Sequence, residues 1–200
     1  MWLHHMARLN VHPKYLQFRF DAGSLSLNFV ATMRHRGSLP RDLLSTPEAF
    51  MKWLQLVGIF ATPVLPSSSD HQEALVLREA IHDTIKSVIL RQHPSQDDID
   101  LINRAAHFSL ATPQLHAGAD LVIWKSEHPV KACLAVIAQD AITLLGGEER
   151  DHLRKCDSAS CQMLFVDTSP SNRRRWCAMS ICGNRRKVAM HRQRKRLSDN

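Results

Sequence analysis

The sequence predicts a mainly α protein: a helical body with a minor β-hairpin, then a small cysteine-bearing module built from a hairpin and a helix. Three observations carry the prediction. Between residues 46 and 146, apolar residues recur at three- and four-residue intervals, the spacing of one helix face. Four of the five cysteines fall within residues 156–182, as two pairs with four residues inside each pair and fifteen between them. The charge is divided as well: residues 151–200 hold 12 Lys/Arg against 4 Asp/Glu, whereas residues 1–150 hold 14 against 15.

With 200 residues, 44% hydrophobic and 22% charged, the chain can bury a sizeable core and carry one appended module. The expected division is a helical domain over 1–150 and a basic module over 151–200. No run of eighteen apolar residues occurs, so no membrane span is expected. The opening MWLHHMARLN lacks the apolar stretch of a signal peptide, and the expected compartment is the cytoplasm. Thiols stay reduced there, which argues against a disulfide framework.

The elements follow in order. Leu16, Phe18 and Phe20, then Leu25, Leu27 and Phe29, alternate around Asp21-Ala22-Gly23, which reads as a hairpin or, in preference, as a strand running into a helix at about Ser24. Residues 34–44 read as a loop carrying Gly37 and Pro40. Thr46 can cap a helix with Pro47 at its first position, Glu48 at the positive end of its dipole and Gly58 at its stop. Phe50, Trp53, Leu54 and Val57 share its apolar face. Residues 62–69 read as a loop, and Asp70 with Glu73 as a capping-box-like start to a helix ending near Gln92. Leu77, Ile81, Ile85, Val88 and Ile89 form its core stripe. Within it, His82 and Asp83 read as a surface pair.

Pro94 breaks this helix, and Ser95 caps a short one to about His107. Residues 114–124 read as a hairpin around Gly118, with Leu121 to Trp124 as its buried strand. Pro129 opens the last helix of the body, with Val130, Cys133, Leu134, Ile137, Ala141, Leu144 and Leu145 inward and Gly146-Gly147 as the stop. Cys133, alone in that pattern, is expected to act as a small buried hydrophobe.

Cys156, Cys161, Cys177 and Cys182 form two chelating pairs, each across a turn that lets both sulfurs face one ion. Four protein ligands leave no open position for water, so the expected cofactor is one structural zinc ion. The fifteen-residue gap fits a hairpin, with Met163 to Asp167 as one strand and Arg174 to Cys177 as the return. After Gly183, residues 184–196 contain good helix formers and no proline. Knuckle, hairpin and helix together make a treble-clef-like or ribbon-like zinc module.

Its charge points to a polyanion. Arg185, Arg186, Lys187, Arg192, Arg194, Lys195 and Arg196 give seven basic residues in twelve, with His191 among them. At helical spacing Lys187, His191, Arg194 and Lys195 share one face, whereas Val188 and Ala189 turn toward Cys182 and are expected to pack on the module. Arg173, Arg174 and Arg175 add charge from the hairpin. All eleven cations are candidate nucleic-acid contacts, since a helix fits the major groove and cations release condensed counterions. Trp176 reads as a core residue, with stacking on a base as its other use.

At these residues the chain resembles the CGNR zinc-finger family of bacterial proteins. Cys182-Gly183-Asn184-Arg185 is the eponymous motif, and Arg175-Trp176-Cys177, Lys187-Val188-Ala189 and Leu164-Phe165-Val166-Asp167 are similar to the family pattern. Residues 25–32 (LSLNFVAT), the helix start near Pro47, Leu77-Arg78-Glu79-Ala80 and Ala141 to Leu145 resemble the ABATE domain that usually precedes this finger. The resemblance implies stress-linked transcription regulation with DNA or RNA binding. The chain departs from the family at Asn28 and Ala31, where members commonly carry an acidic residue and an asparagine.

The expected function is therefore zinc-dependent nucleic-acid binding in a transcription regulator. The alternative is an adaptor whose zinc module docks on an acidic protein surface. The helical body is left to dimerise or to take an unidentified small-molecule effector. His-Glu-x-x-His, Gly-x-Ser-x-Gly and phosphate-cradling glycine patterns do not occur, so no enzyme is expected.

Overall fold

A computed structural model describes residues 18–59 and 64–198, with side chains to residue 195. Helices α1 (Leu25–Val30), α2 (Pro47–Val57), α3 (Ser68–Ile89), α4 (Gln96–Ala106) and α5 (Pro129–Gly146) form the body. Three antiparallel strand pairs accompany them. These are β1 (Met33–Arg34) with β2 (Arg41–Asp42), β3 (Thr112–Leu115) with β4 (Val122–Lys125), and β5 (Leu153–Lys155) with β6 (Leu164–Val166). Helix α6 (Asn184–Ser198) ends the described chain.

The local signals place α2 closely. The Thr46 hydroxyl accepts from the Ala49 amide, Pro47 sits in the first turn, and Gly58 ends the helix at φ 72°. Helix α1 does begin at Ser24, whose hydroxyl accepts from Leu27 N–H, but residues 18–21 form no strand. The predicted position Leu16 lies outside the described residues. The expected 34–44 loop contains the short β1–β2 pair. Helix α3 starts two residues before Asp70: Ser67 is the cap, and Asp70, not Glu73, closes the capping box. It ends at Ile89 rather than near Gln92, with Arg91 at positive φ.

Phe29, Phe50, Trp53, Leu77, Ile81, Ile85 and Ile137 fill the core, with the Phe29 and Trp53 rings 5.2 Å apart. Helix α5 reaches the length and apolarity of a membrane span, with mean hydropathy 1.4. Its buried face, Val130, Cys133, Ile137, Ala141 and Leu144, belongs to this core. Burial pushes the Cys133 thiol up to about 12, so it stays an un-ionised hydrophobe. The β3–β4 hairpin forms as expected but is not buried: Leu121, Val122 and Trp124 are 57%, 50% and 43% exposed. Its apolar run gave the strand but not its position, because the hairpin lies outside the α3–α4–α5 packing.

Arg78 is the largest polar exception inside. It is 2% exposed and donates to both oxygens of Asp42 (2.7 and 2.8 Å) and to Glu79 (2.9 Å). Glu79 also takes both terminal nitrogens of Arg36, at 2.6 and 3.0 Å. Burial raises both carboxyl pKa values, but the arginines outweigh it and hold Asp42 and Glu79 below the usual carboxylate range. As pH falls, the unfolded chain takes up these protons first. The network's contribution is thus full above the unfolded values of 3.8 and 4.5 and is lost as pH falls through the lower folded values. Removing one partner strands the others, so Arg78→Ala should cost about 3–5 kcal/mol in chemical denaturation at neutral pH. A loss under about 1 kcal/mol, the range of exposed pairs, would reject the structural role. His82, expected on the surface, is buried beside an exposed Asp83.

The C-terminal module is built into the body. Leu164, Phe165 and Val166 join the core cluster, and Val166 N–H donates to the Ala22 carbonyl at 2.8 Å. Gly23, at φ 104°, faces Val166, and a Cβ there would lie 2.8 Å from the valine Cβ. A side chain on Gly37, in the β1–β2 loop, would overlap the Ala159 carbonyl oxygen of the first cysteine turn. Backbone from the two parts thus meets at two glycines.

Candidate metal centre and basic helix

The first cysteine turn leaves β5. Cys156 N–H donates to the Met163 carbonyl and Cys161 N–H to that of Ser158, both at 2.9 Å, while Gln162 turns the chain at φ 53°. The expected strand over Met163 to Asp167 exists as β6, but its partner is β5, not Arg174 to Cys177. Residues 173–177 instead form no strand and meet the first turn where Asp157 N–H donates to the Arg175 carbonyl at 2.9 Å. Asp167, fully buried, holds the intervening turn by accepting from the amides of Ser169 and Arg174, at 3.0 and 2.7 Å. In the second turn, the Ala178 carbonyl accepts from the amides of Cys182 (3.0 Å) and Gly183 (3.2 Å). The Cα of Gly183 lies against Met179 and the Trp176 ring.

These turns bring the four predicted sulfurs together. All lie within 4.8 Å of one another, with Cys161–Cys177 at 3.8 Å and Cys177–Cys182 at 3.7 Å, and all four residues are buried. Zinc–sulfur bonds of about 2.3 Å in a tetrahedron require sulfurs about 3.8 Å apart, so the spacing fits the ion. Such crowded thiols do not ionise independently. Hydrogen bonding with Cys156 and Cys177 pulls Cys161 down, and hydrogen bonding with Cys156 and Cys161, plus burial, pushes Cys177 up. Burial and the charge of Cys161 push Cys182 up to about 11. A cation among them allows all four to be thiolates.

Sequence reading missed two residues at this centre. Arg19 and Arg34, from the helical body, lie within reach of the sulfurs' charge: that of Cys177 acts on Arg19, and those of Cys161 and Cys177 on Arg34. Each has a buried Nη1 with no hydrogen-bond partner among the described residues. Burial lowers the pKa of Arg19, but Asp21 and Cys177 more than offset it; burial and the charge of Arg19 leave Arg34 lowered. Four thiolates around Zn2+ carry two net negative charges, which these guanidinium groups oppose. Outer partners of this kind typically contribute tenfold or more to metal affinity. Arg19→Gln with Arg34→Gln should therefore speed zinc transfer to a colorimetric chelator by about tenfold or more. Transfer at the unsubstituted rate would reject the role. No motif announces these residues, since the contacts span more than a hundred positions.

The predicted cations divide into three sets. Arg174 is used internally: its Nε donates to the Trp176 carbonyl at 2.9 Å, an Nη donates to that of Cys177, and the guanidinium lies 4.7 Å over Phe165. Arg175 pairs with Asp157 at 2.6 Å and covers the Trp176 ring, which is partly buried on the core as expected. Arg173 is exposed. Arg185, Arg186, Lys187, His191, Arg192, Arg194 and Lys195 are all exposed on α6, and the side chain of Arg196 lies outside the described residues.

Val188 and Ala189 do not pack on the module. Both are exposed, Val188 by 48%, because α6 projects from the second turn. Asn28, one of the two family departures, is buried, with its amide oxygen accepting from Ala22 N–H at 3.0 Å. Ala31, the other, is also buried.

Comparison with known proteins agrees with this geometry. The family model for the ABATE domain, described as "Putative stress-induced transcription regulator", matches residues 23–148. The model for the CGNR zinc finger matches residues 152–195. A search of curated proteins finds no match. The cysteine cluster and the finger match together identify a site for one zinc ion.

Proposed function

Because the chain belongs to the ABATE family and ends in a CGNR zinc finger, we propose that it is a cytoplasmic regulator that holds DNA or RNA through helix α6. The zinc is structural: it fixes the turn from which α6 projects and takes no part in chemistry. The assigned role is binding rather than catalysis.

The observation that carries this reading is the state of α6. Arg185, Arg186, Lys187, Arg192 and Arg194 are exposed and have no ion pair among the described residues. Like charges at three- and four-residue spacing destabilise an isolated helix, and no packed apolar face compensates them here. A row of phosphates would relieve that repulsion. Fifteen residues make a helix about 22 Å long, which fits the major groove.

The test is fluorescence anisotropy of zinc-loaded protein against pooled DNA and RNA at low salt. Binding that is lost on chelation is expected. No binding to either pool, with an acidic protein partner retained after nuclease treatment, would replace this reading with the adaptor.

A further inference from the structure

The helical body and the zinc module line a half-open cleft of about 330 Å³, distinct from α6 and from the sulfur cluster, with Lys86 exposed at it. Its walls come from three places. Met33, Arg36 and Pro40 belong to the β1–β2 segment, His82 and Lys86 lie one turn apart on α3, and Lys155 and Gln162 flank the first cysteine turn. No carboxylate lines it. Of the nearby acids, Glu79 is bonded to Arg36 and Arg78, and Asp83 to the Nδ1 of His82 at 2.8 Å. Lys86 and Lys155 have no ion pair among the described residues. Arg36, both of whose terminal nitrogens are on Glu79, keeps a buried Nε with no partner.

A cleft with two lysines free of ion pairs among the described residues and no facing acid suits a compact anion. We propose that this seam binds the terminal, dianionic phosphate of a small phosphorylated effector. Two surplus cations match a phosphomonoester dianion better than a singly charged phosphodiester. The volume is at the small end of ligand pockets and suits one phosphate with a modest organic portion, which Met33 and Pro40 can cover. A phosphate held by Lys86 and Lys155 joins α3 to β5, so its presence is transmitted to the module that carries α6. The site stands independently of the nucleic-acid reading.

The probe is inorganic phosphate, added to the zinc-loaded full chain and followed by thermal unfolding and calorimetry against chloride at equal ionic strength. Saturable stabilisation by phosphate is expected. The double variant Lys86→Gln/Lys155→Gln should weaken phosphate binding at least tenfold, whereas Lys187→Gln/Lys195→Gln on α6 should leave it unchanged. Three results would overturn the assignment. Phosphate could act no differently from chloride, or be lost in the α6 variant instead of the seam variant. An oligonucleotide lacking terminal phosphates could displace it at the seam, which would give the cavity to a polynucleotide backbone.

Discussion

Removing the zinc, by chelation or by Cys177→Ser, is expected to unfold the C-terminal module and to destabilise the helical body with it. Structural zinc binding contributes about 10–16 kcal/mol in comparable small modules, far more than three-residue strands supply alone. Here the loss cannot stay local. Leu164, Phe165 and Val166 are core residues of the whole molecule, and Val166 is hydrogen-bonded to Ala22 just before α1. Calorimetry of the zinc-loaded protein should show one cooperative transition, moving to lower temperature and broadening as chelator is added. A helical body that melts unchanged in chelator would mean that the shared packing carries little energy. Chelator titration keeps the test open even where the serine variant does not fold.

Neutralising the outer face of α6 is expected to have the second large effect. Each phosphate neutralised on a duplex contributes about −0.9 to the slope of log K against log salt concentration. If Lys187, Arg194 and Lys195 each meet a phosphate, the variant with glutamine at all three should flatten that slope by roughly three and weaken binding alike across sequences. Its zinc content and melting temperature should not change, because these side chains are exposed and the zinc is held by the four cysteines. Arg174→Ala should behave in the opposite way, destabilising the module through its lost carbonyl bonds while leaving the salt slope near the parent value. The two variants thus separate cations that meet a partner from cations that build the fold.

What could be read from the sequence was what is encoded locally. Thr46, Pro47 and Gly58 bound α2 because capping, proline geometry and a left-handed stop act within a few residues. The cysteine pairs revealed the metal centre because each chelates across its own turn. Misreadings arose where a segment's partner is distant. The apolar run 164–166 was correctly a strand, but nothing within it distinguishes β5 from residues 174–177 as its neighbour. Arg174 resembles Arg173 in sequence and differs only because the Trp176 and Cys177 carbonyls converge on it. Leu121 to Trp124 form an unbroken apolar run like a buried strand, yet the core is already filled by α3, α4 and α5. Arg19 and Arg34 lie in unremarkable contexts, and their roles emerge only when the two parts of the chain close on each other; that of Arg78 emerges when Asp42, 36 positions away, folds against it.

The measurement that tests the central claim most directly is the salt dependence of nucleic-acid binding by zinc-loaded protein, with and without the three α6 substitutions. A steep negative slope that flattens by roughly three in the variant is the expected result. Binding that is absent at low salt, or equally steep when Lys187, Arg194 and Lys195 are neutral, would contradict the assignment of α6 as the contact helix.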